Sequence, residues 1–274
     1  EDVLDTWFSS ALWPLGVFGW PENTKDLKEF YPTSFLSTAR DIINLWVARM
    51  IMFGLEFKRK VPFKIVFVHP TVLTKEGKRM SKSLGTGIDP LVLIEKYGAD
   101  ATRIGLIWQA KGGQDLRFDE SFCVAGKKFC NKVWNASRFV LLNLEKKVWK
   151  MEELKLKKLL PKTSQDKEMI RKVKNLIEKV DKDLENFQFG KAMENIYHFV
   201  WHQFCDKYIE VSKEQLKNEK LKENTQKILL SLLLCQLKLL HPFAPFLTET
   251  LYQKLPILDK KEFLMIESWP KKEI

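Results

Sequence analysis

Extended runs and helical spacings alternate along the first third of the chain. Ser34 to Thr38 leaves the turn Tyr31-Pro32-Thr33 as a short apolar run and predicts a strand. Asp41 to Lys58 then places Ile42, Leu45, Trp46, Arg49, Met50 and Phe53 at helical spacing, with Asp41 near the start of the predicted helix. Lys64 to His69 is β-branched and aromatic and is closed by Pro70, which predicts a second strand. Strand, helix, strand in that order implies a parallel pair and an open α/β sheet.

A polar, glycine-punctuated loop follows, Thr74 to Pro90, and after it the strand signals largely stop. Leu91 to Tyr97 and Ala99 to Trp108 predict short helices. From Asp119 onward the pattern is helical almost to the end, with breaks near Leu160-Pro161, Phe189-Gly190 and His241-Pro242. Adjacent glycines in the polar stretch Lys111 to Asp119 mark a domain boundary, giving an α/β part over residues 1–115 and a helical bundle over 116–274. Lys146 to Lys174 is lysine-rich and weakly apolar, and predicts an exposed, mobile loop with a helix entry. There is no internal repeat.

Composition narrows the classes. Hydrophobic residues make up 45%, enough for a buried core. No apolar run reaches the roughly 18 residues a membrane span needs, and the longest, around Ile228 to Leu234, predicts a buried helix. The chain opens at Glu1 without a methionine or a signal peptide, which suggests a piece of a longer cytoplasmic protein. Cys123, Cys130, Cys205 and Cys235 form no C-x-x-C pair and are expected as buried free thiols, with no metal site. A net charge of +11 fits a polyanionic partner such as RNA, and fits a merely soluble lysine-rich surface equally well.

The chemistry concentrates in Gly77-Lys78-Arg79-Met80-Ser81-Lys82-Ser83-Leu84-Gly85. Glycines permit tight turns, three cations gather positive charge and two serines add hydroxyl donors, a device suited to a nucleotide triphosphate. It is not a Walker A loop. On residue chemistry alone a solvated basic loop is the stronger rival.

Arg79-Met80-Ser81-Lys82-Ser83 resembles the KMSKS signature of class I aminoacyl-tRNA synthetases, with Arg79 where the family has lysine. It follows a strand and precedes a helix, as in that family. The resemblance implies the second half of a Rossmann-like nucleotide-binding domain followed by an all-α anticodon-binding bundle. It implies Lys82 as the catalytic group on the triphosphate, with Arg79, Ser81, Ser83 and Asp41 in the ATP site. Asp41 matches the ribose-contacting acid of a G-x-D segment, here Ala39-Arg40-Asp41, and on residue chemistry it serves equally as a helix cap.

Within the family, Asp2 to Pro14 (DVLDTWFSSALWP) and Asp41 to Met50 (DIINLWVARM) resemble the valyl branch. The resemblance implies a valine pocket lined by Trp7, Ile42 and Trp46. Taken as residues, the tryptophans read as ordinary core. Gly112 to Phe118 resembles the family's linker into the bundle, and the segments Phe129 to Phe139, Phe199 to Glu210 and Leu239 to Glu249 resemble bundle helices. The implied reaction is ATP-dependent activation of valine and transfer to tRNA(Val), with Mg2+ entering on ATP, by a monomeric enzyme without a membrane partner. Lys127, Lys128, Lys132, Arg138 and Phe139 are the candidate tRNA contacts, each cation having plain solvation and Phe139 having core packing as its rival. No HIGH-type motif, editing domain or C-terminal coiled coil occurs in the sequence, so the segment alone is expected to be inactive. The alternatives are an isoleucyl relative, against which the absence of WFDSG speaks, and a non-catalytic tRNA-binding module derived from a synthetase.

Overall fold

Two backbone hydrogen-bond patterns organise the computed structural model, which describes residues 3–80, 85–110, 114–145 and 147–272. One is a parallel strand pair and the other a set of long helices. They fall in separate compact units, Glu1–Val72 with Gly113–Leu116, and Leu73–Gly112 with Arg117–Ile274.

In the first unit Asp5 starts helix α1 (Thr6–Gly16) by accepting the Trp7 N–H at 2.7 Å. Thr24 caps helix α2 (Lys25–Phe30) in the same way, accepting from Leu27 N at 3.0 Å. Strands β1 (Leu36–Thr38) and β2 (Val66–Val68) pair in parallel, Leu36 beside Val66 and Thr38 beside Val68. The expected strand–helix–strand order is therefore present, with shorter strands. The connection is not one continuous α-helix from Asp41. It starts as a 3₁₀ turn (Arg40–Ile42), widens into a π turn (Ile43–Val47) and becomes helix α3 (Ala48–Lys58) only afterwards. Such widened turns break the 3.6-residue rhythm, so spacing cannot anticipate them. Leu36, Val47, Met50 and Phe63 form the core beneath the pair. Leu15, Leu27 and Tyr31 form a second cluster, and the Tyr31 hydroxyl donates to Lys60 O at 2.9 Å.

The second unit begins with helix α4 (Pro90–Tyr97), where Asp89 caps Leu91 N at 2.9 Å and Pro90 takes the first turn. Gly98, at φ +94°, separates it from helix α5 (Ala99–Gln109). The bundle follows as α6 (Ser121–Leu142), α7 (Ser164–Glu185), α8 (Phe189–His198), a π-helical stretch (Phe199–Tyr208), α9 (Ile209–Lys217), α10 (Glu219–Leu240) and α11 (Pro245–Gln253). Every residue from Ile228 to Leu237 is buried, so α10 is the central helix, covered on all sides. Among the described residues no helix is long and apolar enough to cross a membrane.

Lys146 to Lys174 departs from expectation. Trp149, Leu154, Leu156 and Leu159 are buried, and Trp149 pairs by backbone with Pro256 O and Leu258 N. The lysines between these residues point outward and mask the apolar anchors in any average over the segment. Asp166, 1% exposed, is held without a cation among the described residues. Its carboxylate accepts from the Tyr208 hydroxyl at 2.8 Å, Gln215 Nε2 at 3.2 Å and the backbone N–H of Lys162 and Thr163.

Helices α5 and α6 touch through glycine. A Cβ on Gly126 would stand 2.6 Å from the Ala101 carbonyl oxygen, and one on Gly105 would stand 2.8 Å from Cys123 N. These are backbone atoms in packed helices and cannot yield without separating the pair. Gly126→Ala is expected to lower stability by about 1–3 kcal/mol despite alanine's better helix propensity. Urea unfolding followed by circular dichroism tests this, and a stabilised variant would show that the crossing relaxes freely.

Candidate functional site

The hairpin that leads into the serine–lysine motif is built from a few short-range bonds. Leu73 and Arg79 face each other as an antiparallel bridge. Thr74 N donates to Lys78 O at 2.8 Å, Gly77 N to Thr74 O at 2.9 Å and Lys78 N to the Thr74 hydroxyl at 3.2 Å. Gly77 has φ +83°, which a side chain adopts only at a cost, so glycine sets this turn. Glu76 is held below the usual carboxylate range by its own backbone N–H and by the Thr74 hydroxyl, with Lys78 and Lys75 adding less. Arg79 is exposed at the hairpin's outgoing edge. Ser81, Lys82 and Ser83 lie outside the described residues.

The hairpin is flanked by the entry to α6. Phe118 N donates to Leu73 O at 3.0 Å, and Lys75 Nζ lies 3.8 Å from Asp119 Oδ2. Asp119 in turn accepts from Ser121 N at 2.8 Å, while its own N–H donates to Gln109 Oε1 at 2.7 Å. Thr74, Lys75, Glu76, Met80, Thr86, Ile88 and Phe118 to Glu120 line a cleft here.

In the first unit, Trp7, Ile42 and Trp46 are all half-buried. Trp46 donates its indole N–H to Ser10 O at 3.0 Å and lies 6.0 Å, centroid to centroid, from Trp13. Arg49, one turn beyond Trp46, sits 5.4 Å over the Trp7 ring. Both tryptophans thus bind α1 to the segment 43–58. Asp41 is exposed in the 3₁₀ turn after β1. Beside it, at the strand's end, Thr38 is 3% exposed and its hydroxyl meets no partner among the described residues. A buried unsatisfied hydroxyl is uncommon, and composition carries no signal for it.

On α6 the candidate RNA contacts divide. Lys127, Lys128 and Arg138 are exposed, with Lys127 Nζ donating to Lys96 O at 3.2 Å. Lys132 is half-buried, donates to Asp206 Oδ1 at 2.8 Å and lies 4.9 Å over the Trp201 ring. Phe139 is half-buried against the core, yet it also lines a groove with Leu142, Asn143, Lys213, Leu216 and Lys217. Sequence reasoning passed over Trp134. It is 41% exposed and shares a helical face with Lys127, Asn131 and Arg138. The spacing of four, three and four residues was available as a signal.

Against known families, residues 1–119 match the class I tRNA synthetases (I, L, M and V), and residues 166–274 match the anticodon-binding domain of tRNA ligases. The chain therefore carries a class I tRNA synthetase domain followed by an anticodon-binding domain. Valine–tRNA ligases of Thermotoga maritima and Fervidobacterium nodosum are each 50% identical to this chain across all of it. The chain spans 30% and 31% of those relatives' lengths. The fold is shared with a LeuRS from Agrobacterium radiobacter solved as a ternary complex with tRNA and LeuAMS. There the TM-score is 0.77 and the identity 22%, over 98% of this chain and 33% of that one. A methionyl-tRNA synthetase of Mycobacterium tuberculosis, in complex with methionyl-adenylate, matches 90% of the chain and 49% of its own length, with a TM-score of 0.71 and 20% identity.

All four cysteines are free thiols, and burial pushes Cys130, Cys205 and Cys235 up to about 12. Asp206 is held below the usual carboxyl value, first by the Lys132 hydrogen bond and then by that residue's charge, with His202 adding less. A depressed carboxyl stabilises the fold above its unfolded value and loses that effect as pH falls through the folded one. The side chains of Lys132 and Asp206 remain 33% and 41% exposed, so solvent screens the pair and Asp206→Asn is expected to cost only about 0.2–1 kcal/mol at neutral pH. The difference from wild type should vanish as unfolding is repeated toward about pH 2. A gap that persists in acid would assign Asp206 a role independent of its charge.

Proposed function

We propose that this chain is the part of a valine–tRNA ligase that handles the triphosphate of ATP and grips the anticodon end of tRNA(Val). The observation that carries this reading is 50% identity to the Thermotoga maritima valine–tRNA ligase over the whole chain, through both the nucleotide hairpin and the helical bundle. The boundary between the two roles lies at residues 115 and 116. The active protein is monomeric and cytoplasmic.

In the proposed reaction the valine carboxylate attacks the α-phosphorus of ATP, the bond to the bridging oxygen breaks, and pyrophosphate leaves. Mg2+ enters as part of the substrate, on the phosphates. Lys82 neutralises the charge that gathers on the departing group, and Arg79, Ser81 and Ser83 hold the same phosphates. Asp41 accepts from the ribose. Trp7, Ile42 and Trp46 form the apolar box for the side chain, where one methylene is worth only about 1–3 kcal/mol. The chain holds no HIGH-type motif, so the isolated segment lacks valine-dependent ATP–pyrophosphate exchange.

On the RNA side, Lys127, Lys128 and Arg138 meet phosphates along α6. Phe139 offers its groove-facing edge to an unpaired base, between the lysines of α9. Lys132 is neutralised by Asp206 and adds less than its neighbours.

In a full-length ligase containing this segment, Lys82→Ala is expected to slow single-turnover adenylate formation about 100- to 1000-fold at saturating ATP and valine. Valine affinity and thermal stability should barely change. Near-normal activation would remove Lys82 from the reaction. Binding of an anticodon-stem transcript should weaken steeply with salt, and further with Phe139→Ala. Salt-independent binding, or full affinity in a stably folded Phe139→Ala protein, would overturn the RNA assignment.

A further inference from the structure

Arg117 lies flat on the turn of the nucleotide hairpin. Its Nε, Cζ and Nη2 atoms stand 3.1, 3.3 and 3.3 Å from the position a Cβ on Gly77 would take. Three guanidinium atoms at nearly equal distance place the face of the group against the glycine, and a Cβ there would push the guanidinium back by a few tenths of an ångström. Gly77 is required by its φ of +83°, and a side chain there would also shift the cation that covers it.

The same turn is held from a second point. Lys75 lies 3.8 Å from Asp119, and Asp119 is fixed by Ser121 N and by Gln109 Oε1. Ser121 starts α6 and Gln109 ends α5, so one point of the clip is mounted on the two closely crossed helices. Arg117 itself leaves the backbone beside Phe118, whose N–H pairs with Leu73 at the hairpin's root. The turn at Gly77, next to Lys78 and Arg79, thus has a planar cation against it and the Lys75–Asp119 pair beside it.

We propose that Arg117 is a positioning residue for valine activation. It acts through Gly77 to set the resting direction of the hairpin edge that carries Lys78 and Arg79. This rests on the nucleotide-loop reading above. The guanidinium works here by shape. A planar amide keeps part of that contact, whereas a lysine keeps the charge and loses the plane.

The experiment uses the full-length ligase containing this segment, with Arg117→Ala, Arg117→Gln, Arg117→Lys, Gly77→Ala and Lys82→Ala compared in single-turnover activation at graded ATP and by thermal melting. Arg117→Ala is expected to slow activation about 10- to 100-fold with little change in melting temperature, because Arg117 is exposed while misplacement of reacting groups is costly. Gly77→Ala should reproduce the defect from the other side of the contact. Arg117→Gln should retain more activity than Arg117→Lys. The reverse order, with lysine rescuing, would make Arg117 a direct charge on the phosphates and overturn the positioning role. Activity lost in step with melting temperature would make the contact merely structural. Normal activation by Arg117→Ala beside an impaired Lys82→Ala would refute the proposal while sparing the nucleotide-loop reading. Near-normal Lys82→Ala would overturn that reading and the proposal with it.

Discussion

The close crossing of α5 and α6 is the constraint on which the second unit's layout depends. Two glycines allow backbone to meet backbone there, Gly105 against Cys123 and Gly126 against Ala101. Packed interiors transmit displacement because they have little free volume. The crossing therefore fixes where α6 begins, and with it Asp119, whose N–H is held by Gln109 of α5. Glu120 adds a second tie, accepting from the Tyr97 hydroxyl and Lys96 Nζ at 2.6 Å each. Glu120 is held below the usual carboxylate range by those same hydrogen bonds, Lys96 first. The Leu73–Arg79 hairpin borders on a start point that the bundle itself determines.

Charge on the bundle is less available than a net +11 suggests. Lys132 is bonded to Asp206, Lys213 to Glu210, Lys217 to Glu214 and Lys222 to Glu145. Exposed pairs of this kind add little stability, but each local carboxylate reduces the field that a phosphate would feel. The cations of α6 differ among themselves for this reason, although a count of basic residues treats them alike. Position beside an acid, as well as exposure, decides how strong a field each lysine offers.

Much of the fold was legible because its signals are local. The two short helices Leu91 to Tyr97 and Ala99 to Trp108 and the apolar run through α10 appear in sequence nearly as they do in space. The parallel pair was legible from element order alone. Three features were not. The π turn at Ile43–Val47 changes the helical period without a sequence marker. The buried anchors Trp149, Leu154, Leu156 and Leu159 are diluted by lysines that face outward. The glycine contacts of α5 and α6 depend on two helices meeting, which no single-segment pattern contains. At the candidate site, residue identities came from the motif, while Arg117 over Gly77 and the unpartnered Thr38 hydroxyl required coordinates.

Two of the aromatic rings on α6, Phe139 and Trp134, show how burial divides labour on one helix. Phe139 is partly fixed by the core, so it presents an edge whose orientation is already set and loses little freedom on contact. Trp134 stands further out, with a larger face and more to lose in ordering. On the proposed reading, the fixed ring beside its groove suits recognition of a particular base, where geometry discriminates. The outer ring suits stacking that tolerates any base, because every base offers a π face. Both sit on the helix whose start is set by the α5 crossing. The same helix therefore borders the Leu73–Arg79 hairpin at one end and presents its aromatic edge toward the other.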